Sequence, residues 1–207
     1  AVSVSLNSAY ALVDALRCAL TGSSCPQWTG TGGDSYRLRK DEVVAQAQGV
    51  LDDIQAALDA VPTLEANATA FLASTVVTVA NGCNTAVALA DFYGTVLTSA
   101  AAAVSGDVLT VAFDPHRHVT VASGAFSVDV NELNAAHAAL TYEKLLAIGP
   151  SKAALTCAQL EVDLAPFDTS SVTSAITTAL SSLDDLGAAV DDLLWKLRDA
   201  ALTYDDA

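Results

Sequence analysis

Between two apolar, alanine-rich segments lies the stretch Cys25-Pro26-Gln27-Trp28-Thr29-Gly30-Thr31-Gly32-Gly33-Asp34. Proline and clustered glycines cannot continue a helix cheaply. The chain must turn here, and Asp34 offers a side-chain oxygen to cap the helix that follows. An indole in so short a turn needs an apolar surface to lie on. The groove between the two flanking helices supplies it, which makes Trp28 and Gly30 the elbow of a helical hairpin. Trp28 then either staples the hairpin or forms a docking notch for a partner.

The flanking periodicities agree. Over 3–20, Leu6, Tyr10, Val13, Leu16 and Leu20 recur in steps of three and four, with Gly22 as the stop. Over 34–61, Val43, Ala47, Val50, Ile54, Ala57 and Val61 follow a seven-residue repeat, widened by Leu51 and Leu58, and Pro62 is expected to end the helix. Residues 63–104 read as one helix or two, broken near Asn81-Gly82. Near 107–130 the period changes to two, through Val108-Leu109-Thr110-Val111, Val119-Thr120-Val121 and Phe126-Ser127-Val128. This predicts a small β-hairpin insertion. Asn131 or Asn134 starts the next helix and Gly149-Pro150 ends it. Another helix from Ser151 runs to the break at Pro166. From Asp168-Thr169-Ser170 a long helix carries Val172, Ile176, Ala179, Leu183, Leu186, Val190, Leu193, Leu197 and Ala201 in coiled-coil-like steps. The expected fold is mainly α: a single domain over 1–207, an elongated antiparallel helical bundle carrying the β-hairpin.

Composition excludes some partners. Nine Lys and Arg against 24 Asp and Glu leave a net charge of −15, which repels phosphate backbones and argues against nucleic acid. The apolar run of 69–104 is interrupted by Asn81, Asn84 and Asp91 and lacks flanking cations, so no membrane span is expected. Methionine is absent, which fits a processed or excised chain.

Candidate chemistry is sparse. Cys18, Cys25, Cys83 and Cys157 form no CxxC pair, so no zinc site is expected. Two disulfides, Cys18–Cys25 across the elbow and Cys83–Cys157, would suit an exported protein; four buried thiols are the alternative. His116 and His118, with Asp114, would share one face of a strand and could hold a metal; a polar hairpin turn is the plainer reading. Paired acids such as Asp184-Asp185 point about 100° apart on a helix and make solvated faces rather than dyads. Neither a nucleophile elbow nor a phosphate loop is present. No enzyme and no cofactor is expected.

With Trp28-Thr29-Gly30 set between an amphipathic helix and a longer coiled-coil-like one, the first 62 residues resemble the WXG-motif family, the helical-hairpin substrates of type VII secretion. The resemblance implies hairpins paired into a four-helix bundle. It also implies a Tyr-x-x-x-Asp/Glu export signal on one partner, near the Trp-x-Gly turn of the other. Tyr10 and Asp14 fit that spacing but precede the turn, whereas the family carries the signal after its second helix; Tyr204-Asp205 lies where a terminal signal could begin, with the acidic residue that would complete it missing from the sequence. The chain departs in being about twice the family's length, in its cysteines and in its β-type stretch. A second helical half would then supply the pairing hairpin internally. The resulting expectation is a non-enzymatic protein, secreted or at the cell surface, that works by helix-mediated assembly with a protein partner or itself. The alternatives are a helical carrier enclosing a hydrophobic ligand and a metal-dependent enzyme built on the His-x-His stretch.

Overall fold

The structure, a computed structural model, describes residues 2–75 and 127–205. Four helices make up nearly all of it: α1 (Val2–Gly22), α2 (Thr31–Thr75), α3 (Val130–Asp163) and α4 (Ser170–Asp205). At 1.5 Å per residue, the 45-residue α2 is about 68 Å long.

Every apolar position expected on α4, from Val172 to Ala201, is buried, and so are those of the α2 stripe from Val43 to Val61 except Leu58, which is half-buried at its edge. On α1 the buried face is Leu6, Ala9, Val13, Leu16 and Leu20, with Tyr10 half-buried at its edge. Burial of these stripes, rather than helix propensity, carries most of the stability of such helices.

Each helix packs on two neighbours, α1 with α2 and α3, and α4 with α2 and α3. All four contacts are antiparallel. Along α2 and α4, Arg39 meets Asp192, Asp53 accepts from Ser182, and Asn67 reaches the carbonyl of Asp168. Along α3 and α4, Lys144 meets Asp191 and Lys152 meets Asp184. The molecule is thus two helical hairpins, α1–α2 and α3–α4, packed head to tail. The turn of the first lies at one end; the turn of the second, residues 164–169, lies at the other, where Phe167 packs on Phe71 at 5.9 Å.

Several boundaries differ from expectation. Pro62 does not end α2, and Gly149-Pro150 does not divide α3; both prolines lie inside their helices. The Pro62 ring is exposed and the Pro150 ring half-buried, so neither takes a core position, and water can hydrate the carbonyl that Pro62 leaves without a donor. Residues beside them are in the core: Val61 and Leu64 around the first, Ala147, Ser151 and Leu155 around the second. Ser151, expected to cap a new helix, instead donates from Oγ to the carbonyl of Ala9 at 3.4 Å. Asp34 sits in the first turn of α2 rather than at its cap, and α3 begins one residue before Asn131 because Asp129 Oδ1 accepts from the amides of Asn131 and Glu132.

The expected β-hairpin lies largely outside the described residues. Its last part is not strand: 127–129 is irregular and Val130 opens α3, and no strand occurs among the described residues. Of the 63–104 segment, 63–75 continues α2. No helix among the described residues is long and apolar enough to cross a membrane.

Candidate partner-binding elbow

The elbow, residues 23–30, is built by local chemistry before any long-range contact. Ser23 closes α1, its Oγ donating to Leu20 O at 2.9 Å. Tyr36, one turn into α2, donates its hydroxyl back to Ser23 O at 3.0 Å and so joins the two helix ends. Cys25 adopts the left-handed region at φ 44°, and the Trp28 amide donates to its carbonyl at 3.0 Å. Arg37 then fastens the bend: one guanidinium nitrogen donates to Trp28 O at 2.8 Å and Cys25 O at 3.2 Å, the other to Asp34 at 2.6 Å.

The glycines have separate duties. Gly30 holds φ 88°, where a side chain is strained. Gly33 has no room for one, because a Cβ there would lie 2.0 Å from Trp28 O. At Gly32 a Cβ would press on the indole, 3.1 Å from Cζ2 and 3.4 Å from Nε1. Backbone and bare glycine therefore form the bed of the tryptophan.

Trp28 is 5% exposed. It stacks on Tyr36 at 5.7 Å and 29°, and meets Tyr204 of α4 edge-on at 6.4 Å and 78°. Its indole Nε1 is buried with no hydrogen-bond partner among the described residues.

The second hairpin holds the elbow from the other side. Thr29 N donates to Ser127 O at 2.7 Å, and Ser127 N donates to Thr29 Oγ1 at 2.6 Å. Gln27 N donates to the Glu132 carboxylate at 3.1 Å. Burial first, with the charge of Asp129 adding, raises the Glu132 carboxyl above the ordinary range, against the lowering effect of the Gln27 amide. Beneath it the buried Cys25 thiol is pushed up to about 12, by burial first and the Glu132 charge second. Burial also raises the Tyr36 hydroxyl.

Beside the elbow, between the first turns of α2 and the last turns of α4, opens a cleft of about 540 Å³. Trp28, Tyr36, Trp195 and Tyr204 give it aromatic walls, and Arg39, Glu42, Lys196 and Asp199 line it with both signs of charge.

Other expected site residues fall elsewhere. Tyr10 and Asp14 lie midway along α1; Tyr10 is some 18 Å along the axis from Gly22 at 1.5 Å per residue, and Asp14 pairs with Arg17 at 2.6 Å. Neither is brought to Trp28, whereas Tyr204 is. Cys18 and Cys25 do not form the expected clip. Both are free thiols: Cys18 is exposed on α1, while the left-handed backbone at Cys25 accompanies a side chain buried in the core. Cys157 is also free and buried, and Cys83 lies outside the described residues. Asp114, His116 and His118 lie outside them too. Among the described residues no group of three or more His, Cys, Asp or Glu could hold a metal ion. His137 is half-buried on α3, its pKa lowered by burial and then by Arg198.

Sequence reasoning missed Tyr36 and Arg37, although an aromatic and a cation in the first two turns after a glycine-rich bend were signals that side chains fold back on it. It also missed the load on Gly33, Ser127 and Glu132, which appears only once the second hairpin is docked. No known protein family, curated protein or solved structure matches the chain.

Proposed function

We propose that this is a non-enzymatic, exported helical protein of the type VII secretion kind, recognised by its export partner at the elbow end of the bundle. One observation carries the reading. Trp28, in the turn of the first hairpin, meets Tyr204, near the end of the second, edge-on at 6.4 Å. In the WXG-motif family, a tyrosine after the second helix of one hairpin lies near the Trp-x-Gly turn of the other. Here a single chain supplies both hairpins, and their head-to-tail packing sets the two aromatics side by side. Tyr204 is accordingly a stronger choice for the export-signal tyrosine than Tyr10. Binding through helices, to a protein partner or a second copy, follows from the same reading.

The test is export itself. The tagged protein is produced in a host with a type VII system and in the same host lacking the system's ATPase, and the medium and cells are assayed. Appearance in the medium only when the ATPase is present is expected. Equal release from both strains, or retention in both, contradicts the proposal.

A further inference from the structure

The cleft beside the elbow has features that export does not use. Trp28 Nε1 is a hydrogen-bond donor in a residue 5% exposed, and it has no partner among the described residues. Buried donors are nearly always satisfied, so an orphan at the wall of a cavity points to an acceptor supplied from outside the fold. The Nε1 edge lies against Gly32, which itself lines the cleft.

The remaining walls define the ligand. Trp28, Tyr36, Trp195 and Tyr204 present four aromatic rings, and Trp195 is 62% exposed although it lines a cavity. The volume of about 540 Å³ is that of a small-molecule site. Its cations are engaged: Arg39 donates to Glu42 at 2.8 Å and to Asp192 at 3.1 Å, and Lys196 lies 3.6 Å from Asp192. An anion would find no free counter-charge and would face a chain of net charge −15.

We propose that this cleft binds an uncharged planar aromatic molecule carrying a carbonyl, its ring against the aromatic walls and its oxygen accepting from Trp28 Nε1. Because Nε1 is closed to solvent, the oxygen reaches it only as the wall yields, and the wall residue in edge-on contact with the indole is Tyr204. The proposal does not rest on the export reading and survives its failure.

A matched pair of probes tests it. 2-Acetylnaphthalene carries the carbonyl, and 2-ethylnaphthalene has nearly the same shape without it. The chain has two tryptophans, so two indole N–H resonances report in a ¹⁵N-labelled sample. The acetyl probe is expected to bind at least tenfold tighter than the ethyl probe and to shift the Trp28 resonance. In Trp28→Phe, which keeps a ring and removes the donor, the preference should vanish. Trp195→Ala alters a residue that is 62% exposed, and should weaken both probes at least fivefold. Equal binding of the two probes to the native protein, a preference that survives Trp28→Phe, unchanged affinities in Trp195→Ala, or no binding at all would each overturn the proposal.

Discussion

The rings of Trp28 and Tyr204 stand at 78° to one another with centroids 6.4 Å apart, one carried by the turn of the first hairpin and the other by the last helix of the second. Offset or edge-to-face aromatic pairs are worth about 0.5–1.5 kcal/mol beyond the area they bury. A double-mutant cycle of Trp28→Leu and Tyr204→Leu, read by chemical denaturation, should therefore return a coupling of that size. A coupling near zero would mean that the two rings are neighbours without mutual stabilisation. Trp28→Ala alone should cost about 3–5 kcal/mol, as expected for removal of a large buried aromatic.

Two glycine substitutions should move stability in opposite directions. Gly33→Ala places a methyl 2.0 Å from Trp28 O, and since that neighbour is backbone it cannot step aside. A loss of about 1–3 kcal/mol or more is expected, with displacement of the elbow. Gly49→Ala, within α2 and with nothing inside 4 Å of the added methyl, should stabilise by about 0.5–1 kcal/mol. Thermal or denaturant melts of the two variants check both signs.

The thiols should separate by reactivity. Cys18 is exposed, so an alkylating reagent at pH 8 should label it in the native protein; Cys25 should react only after unfolding. The same burial makes a pH prediction. Cys25 has its folded pKa raised, so its stabilising effect is complete below the unfolded thiol value of about 8.5 and is lost as pH rises towards about 12. Tyr36 is raised in the same sense by burial. Stability should fall as pH rises through the alkaline range, and the slope should be shallower in Cys25→Ala. A flat profile in the native protein would contradict the burial of these groups.

Much of the bundle was legible in the sequence because seven-residue periodicity survives wherever a helix buries one face. The α2 and α4 stripes could be read position by position. Helix ends at prolines could not, since Pro62 is exposed and Pro150 half-buried, neither in a core position, and the cost of a proline there is offset by core residues on either side. The turn at Trp28 was readable from Pro26 and the glycines, whose conformational demands are local. The meeting of Trp28 with Tyr204 was not, because it depends on how the hairpins dock, and no local pattern encodes that. The Cys18–Cys25 clip failed for a related reason: spacing across a bend says nothing about which way each side chain turns.

The most direct test of the central claim, that the elbow end of the bundle, where Tyr204 packs on the buried Trp28, is read for export, is the released fraction of a Tyr204→Ala variant in a host with a type VII system. Helicity and melting should be measured alongside, and Tyr142→Ala, which alters an exposed ring on α3, serves as the control. The account predicts a folded Tyr204→Ala protein whose release falls at least tenfold, with the control released like the native chain. A folded Tyr204→Ala protein released at the native level would contradict it.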